Sequence, residues 1–162
     1  MPNTVLRGCM EEISTVSTRA AFPRAPHMSY GGAAVWFTSP PGAVVQLLEP
    51  VRGTLDLVNW IVGPFYDELE RRFPGRTALI FVFDLELMTG RTAASRSVFL
   101  AKARECGKRF NEALFVPPRA ASPAYRVSMH AAIALVRALG VQVEIVSSSV
   151  SAVASRNLKP AL

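Results

Sequence analysis

Two cysteines and two histidines are all that this 162-residue chain offers as thiol or imidazole groups. Cys9 and Cys106 stand in unlike contexts, and neither falls near His27 or His130. The ligand spacing of a structural zinc site is therefore absent, a disulfide framework is not expected, and a reducing cytoplasm is the expected compartment. Long apolar runs are missing as well. The longest, Ala78 to Phe83, stops at Asp84, far short of the ~20 residues a membrane span requires. No basic head followed by an apolar run and a small-residue cleavage site opens the chain, so no secretory signal is expected. There is no glycine-rich phosphate loop of Walker or dinucleotide type, no serine nucleophile elbow and no paired histidine and carboxylate. Neither catalysis nor a cofactor is expected. Charged residues make up only 19% and hydrophobic ones 50%, a balance that excludes a disordered chain and suits one globular domain with a real core.

What is present falls into ordered segments. Residues 1–31 are rich in Ser, Thr, Arg and Pro and are expected to form a flexible extension, with a helical turn near Met10 to Val16. Ala33 to Ser39 and Ala43 to Glu49 are β-rich runs on either side of Pro40-Pro41-Gly42, the pattern of an antiparallel hairpin. Thr54 is a suitable N-cap for a first helix, with Asp56 in its first turn. Its apolar stripe runs through Leu55, Val58, Ile61, Val62, Phe65, Leu69 and Phe73. Pro64 removes the amide that would bond to Trp60 and is expected to kink or divide that helix. Thr77 to Leu85 shows no alternation and many β-formers, as a strand buried on both faces should. Phe99, Ala103, Cys106 and Phe110 mark the buried stripe of a second helix, in which Cys106 is a small core residue. Ala113 to Val116 forms a short strand. Ser122-Pro123 starts a third helix with a capping serine and proline at the first helical position, its apolar face formed by Met129, Ile133, Val136 and Leu139. Val141 to Val146 supplies the last strand, and residues 148–162 form a tail with one short helix. The order is ββαβαβαβ: an α/β fold with a small mixed, mostly parallel sheet over residues 32–147.

The net charge of +6 is concentrated. Arg91, Arg96, Lys102, Arg104, Lys108 and Arg109 lie between Arg91 and Phe110 against the single acid Glu105. Such a helix suits an acidic protein, a phosphate or a solvated face. It has no interleaved exposed aromatics and no nucleic-acid motif, so specific nucleic-acid binding is not expected. Asp84 ends a parallel strand, where α/β proteins place ligands, and with Glu86 and Arg91 could contact a phosphate-bearing small molecule. Trp36 and Trp60 are expected to pack the hairpin against the first helix. His130 is read as a partly exposed helix residue.

The order of elements, the run Phe81-Val82-Phe83-Asp84-Leu85, the loop behind it and the helix from about Thr92 together resemble the STAS fold. That family includes bacterial anti-sigma-factor antagonists and the wider STAS/SEC14-like regulators. The resemblance implies a non-enzymatic, cytoplasmic regulatory domain that binds a protein partner, a kinase or anti-sigma-like regulator, through the helix after the Asp84 strand. In the family a serine at the start of that helix is often phosphorylated, and the added charge switches partners. Here Asp84-Leu85 matches the signature, but the acidic residue and serine pair are replaced by Thr92-Ala93-Ala94-Ser95. Ser95 is the remaining candidate phospho-acceptor. The expected partner surface is Arg91, Thr92, Ser95, Arg96 and Lys102. The alternative reading is a binder of small phosphate-bearing or apolar ligands, or a minor enzyme, with a pocket near Asp84 and Arg91.

Overall fold

The computed structural model describes residues 19–75, 77–106 and 109–162. Cys9 and the turn expected at Met10 to Val16 lie outside the described residues, as does the side chain of Cys106. The hairpin forms as expected. Strand β2 (Ala33–Ser39) and β3 (Gly42–Leu47) are antiparallel, with Val35 opposite Val45 and Phe37 opposite Ala43. Gly42 stands where the chain passes closest to the next parallel strand. A Cβ there would lie 1.8 Å from the carbonyl oxygen of Ile80, so the position admits only glycine.

After β4 (Val51–Gly53), helix α1 (Leu55–Trp60) is capped by Thr54, whose hydroxyl accepts from the Leu57 amide at 3.3 Å. Pro64 does not break the helix. The turn Ile61–Phe65 widens to a π-type turn, which absorbs the missing donor, and the chain continues as α2 (Tyr66–Arg72). Strand β5 (Leu79–Asp84) is buried along its length apart from half-buried Ile80. Beyond it come β6 (Met88–Arg91), α3 (Ala93–Cys106), β7 (Phe110–Val116), α4 (Pro123–Ala138) and β8 (Gln142–Ile145). Phe110, expected at the end of the second helix, instead opens β7 opposite Leu79.

The main sheet runs β1-β2-β3-β5-β7-β8, in which β1 is Met28–Tyr30. From β3 to β8 each neighbour is parallel to the last, while β2 and β1 are antiparallel additions. The sheet is therefore mixed and mostly parallel. Helices α1 to α4 cover one face, where Phe37, Phe81, Phe83 and Phe115 meet Phe65, Tyr66 and Leu69. A fully buried side chain of this size stabilises the fold by about 1.5–3 kcal/mol.

The opposite face is covered by the two ends of the described chain, and here the expected boundaries need correcting. Met28–Tyr30 is not extension but strand β1, paired to β2. Residues beyond 147 form α5 (Ser149–Ser155) and β9 (Lys159–Pro160), the latter paired to Thr38 and Ser39 of β2. Phe22, Ala152 and Leu158 pack on Trp36, Val44, Val82 and Leu114. Trp36 thus faces away from the first helix, contrary to expectation, and its indole nitrogen donates to the Arg24 carbonyl at 2.9 Å. Trp60 stacks on Tyr30, ring centres 5.5 Å apart. Alternation along β2 sends Val35 and Phe37 to one face and Trp36 to the other.

Candidate functional site: a basic cleft above an apolar cavity

The segment after Asp84 is more ordered than a loop. The Asp84 carboxylate accepts from the Glu86 amide at 3.1 Å, Leu85 donates to the Val116 carbonyl, and the chain then runs alongside Val51–Gly53 as β6. This small parallel ribbon sets Gly53 opposite Arg91 and Arg52 opposite Gly90, and both arginines line the space beside it. Thr92 then starts α3: its amide donates to the Gly53 carbonyl and its hydroxyl accepts from the Ser95 amide at 3.1 Å. Across the gap Ser122 caps α4 by accepting from the Tyr125 amide at 3.2 Å. Arg52, Arg91, Thr92, Arg96, Ser122, Tyr125 and Ser128 line a cleft of about 570 Å³ between these elements.

Three arginines line this cleft, and among the described residues none of them pairs with a carboxylate. Arg91 and Arg96 instead donate to the same acceptor, the hydroxyl of Ser128, at 2.7 and 3.1 Å. Arg91 also lies over the Tyr125 ring, 5.3 Å from its centre. Burial draws the Arg91 guanidinium below its ordinary pKa, and the Arg96 charge acts in the same direction. Burial pushes the Tyr125 phenol up. Guanidinium cannot shed its proton at any ordinary pH, so the cleft keeps a positive charge that no carboxylate among the described residues offsets, next to two helix N-termini, and both features favour an anion.

Arg91, Arg96 and Tyr125 also form the boundary of a second space beneath the cleft. This is a cavity of about 90 Å³ between the sheet and α1, α3 and α4, walled by Val45, Leu57, Phe83, Phe99, Met129 and Ile133 among others. At about 24 cal/mol per Å³, leaving such a volume unfilled costs about 2 kcal/mol relative to a filled core.

The expected site residues separate on this geometry. Arg91, Thr92 and Arg96 come together in the cleft. Lys102 does not join them: its ammonium lies 5.4 Å from the Tyr66 ring centre and 3.3 Å from Glu105. Ser95 is 1% exposed and its hydroxyl donates to the Thr92 carbonyl at 2.8 Å. A kinase would have to open the first turn of α3 to reach it. Asp84 lines neither space. Phe83 points to the helical face, so Asp84 points to the other, and the expected shared pocket of Asp84 and Arg91 is not formed.

Asp84 belongs to a buried polar knot instead. The Gln46 amide nitrogen lies 3.1 Å from the Asp84 carboxylate, 3.1 Å from the Ser149 hydroxyl and 3.0 Å from the Arg19 carbonyl, while its oxygen accepts from the Ala21 amide at 2.8 Å. Burial raises the Asp84 pKa above its ordinary value, against the hydrogen bonds it accepts. The knot ties both ends of the described chain to β3 and β5. Sequence reasoning missed Arg52, Tyr125 and Ser128. The readable signal was Ser122, Tyr125 and Ser128 at steps of three from a helix start, one face of α4 directed at the basic helix.

A mixed, mostly parallel sheet with its crossover helices on one face and an antiparallel hairpin at one side gives the fold class: an α/β domain with a STAS-like fold. Among solved structures, an uncharacterized protein of the DUF3478 family from Shewanella loihica PV-4, described as having a SpoIIAA-like fold, superposes with a TM-score of 0.54. It covers 79% of this chain and 98% of its own length at 10% identity, so the likeness is one of fold. No family model matches the sequence, and no curated protein matches it. Among the described residues no helix is long and apolar enough to cross a membrane.

Proposed function

We propose that this chain is a non-enzymatic, STAS-like regulatory module of the bacterial cytoplasm that recognises an anionic group on a partner protein through the cleft of Arg52, Arg91 and Arg96. The observation that carries the reading is the pair Arg91 and Arg96, two guanidinium groups sharing one hydroxyl with no carboxylate between them. A fork of this kind matches a carboxylate or phosphate bidentately. An acidic or phosphorylated segment of a kinase or anti-sigma-like regulator has that chemistry. The cleft supports recognition of a phosphate on the partner better than a phosphate on Ser95, because the Ser95 hydroxyl is turned into the helix.

The test is capture of partners by the purified chain and by its Arg91→Glu/Arg96→Glu variant, with bound proteins and their phosphosites identified by mass spectrometry. The reading expects specific proteins retained by the parent and lost by the variant, with affinity falling as salt rises. Identical capture by both would sink it.

A further inference from the structure

We infer that the cavity and the cleft together form one site for a small amphiphilic anion, with its charged head on Arg91 and Arg96 and a short apolar body in the cavity. Three observations converge on it. The walls facing the space come from Val45, Phe83, Phe99, Met129 and Ile133, so water gains few partners there and an apolar group does. The space is not sealed by apolar side chains. Its boundary toward the cleft is Arg91 and Tyr125, and both also line the cleft. Arg91 is half-buried, and among the described residues it meets the Ser128 hydroxyl and the Tyr125 ring but no carboxylate, so an anion at that boundary would supply the opposite charge. A ligand with only one of these halves would leave either the void or the arginine pair unanswered.

The volume limits the body. An engineered cavity of ~150 Å³ takes benzene, so about 90 Å³ suits a short aliphatic chain or a single small ring entering in part. The head is a carboxylate or a phosphate, which share the bidentate chemistry of the two arginines. This site is separate from recognition of a partner protein except in its use of the two arginines.

The experiment uses the purified chain alone, so a failure here is distinct from a failure to capture partners. Thermal shift and NMR of methyl-labelled methionine are recorded with hexanoate, octanoate, phenyl phosphate, inorganic phosphate and hexanol. Met88 and Met129 line the cavity and Met28 does not, so the methyl resonances are internal reporters. The expected result is stabilisation by at least one of the organic anions at concentrations where phosphate and hexanol have little effect. The Met88 and Met129 signals should shift while that of Met28 stays in place. Ala132→Leu, which fills the cavity from α4, should abolish this response and leave weak phosphate binding intact. If that variant does not fold, the wild-type methyl shifts still decide. Equal stabilisation by inorganic phosphate and the organic anions, with no shift at Met88 or Met129, would reduce the site to a bare anion cleft and overturn the proposal. Hexanol acting as strongly as the anions, or no response to any probe, would overturn it too.

Discussion

Gln46 and Asp84 stand directly across from each other in the parallel pair β3–β5, and their side chains meet on the same buried face, amide nitrogen to carboxylate oxygen, at 3.1 Å. Neither is reached by water to any extent: Gln46 is 0% and Asp84 1% exposed. Among the described residues no arginine or lysine pairs with this interior carboxylate, which makes both its protonation and its hydrogen bonds matter for stability.

The Asp84 pKa lies above its ordinary 3.8 in the folded chain, chiefly through burial. Between those two values the folded state holds a proton that the unfolded chain has lost, so this group's contribution is full below about pH 3.8 and is lost as pH rises through the folded pKa. Asp84→Asn keeps a neutral side chain of the same shape and removes that loss. Its stability relative to wild type should therefore rise between about pH 3.5 and pH 7, as read from urea midpoints. A difference that is flat or falls with pH would show that Asp84 is charged without penalty.

Gln46→Leu leaves the Ala21 amide, the Arg19 carbonyl and the Asp84 carboxylate each short of one partner. Unsatisfied buried groups cost about 1–3 kcal/mol each, more when charged, though part is recovered by relaxation. A loss of roughly 2–4 kcal/mol is expected in urea unfolding. A shift under about 0.5 kcal/mol would mean that the two chain ends are held mainly by their apolar contacts.

Residues 32–147 expressed alone should not reach the native state. The truncation removes Phe22, Ala152 and Leu158 from Trp36, Val44 and Leu114, and with them strands β1 and β9 from the edge of β2. Near-UV circular dichroism, and the tryptophan emission maximum in a Trp60→Phe background that leaves Trp36 alone, report the outcome directly. A sharp, cooperative unfolding transition from this fragment would show the added layer to be dispensable.

Arg91→Gln and Arg96→Gln should differ in their effect on anion binding. Arg91 is half-buried and Arg96 exposed, and a charged hydrogen bond gains strength away from water. Titration calorimetry with phenyl phosphate is expected to show about a tenfold loss for Arg91→Gln, and a smaller, more salt-sensitive loss for Arg96→Gln. Equal losses, screened equally by salt, would place the ligand at the open rim and not at the cavity mouth.

Much of the central sheet was legible because strong signals coincided: the Pro40-Pro41-Gly42 break, the unbroken run of β5 and the Ser122-Pro123 start each became the expected element. Strand β6 was hidden because Met88-Thr89-Gly90-Arg91 has turn-like composition and gains its geometry from Val51–Gly53, far away in sequence. The short helix expected in the tail is α5, but its packing on the sheet was hidden because Ser149-Val150-Ser151-Ala152 carries few large apolar residues, though Ala152 is fully buried. Arg91 and Arg96 were visible as part of a charge run, but their spread over β6 and α3 decided which faced inward, and Arg52 of β4 lay outside that run. Lys102 fell on another side of the same helix. The face taken by Asp84 was unreadable for a different reason: a strand buried on both sides carries no alternation to orient it.

The widened turn at Ile61–Phe65 sets the phase of the whole first helical segment. Leu57 and Tyr66 are both buried, yet they lie nine positions apart, which in unbroken α-helix would place them about 180° around the axis from each other. The π-type turn takes up part of that rotation and lets both halves lean on the same sheet. With one residue deleted from this turn, Leu57 and Tyr66 would lie eight positions apart, about 80° around a regular α-helix, so both would stay on the side that faces the sheet. Gly63-Pro64 thus acts as a gear offset between the wall of the cavity, built by α1, and the aromatic core, built by α2.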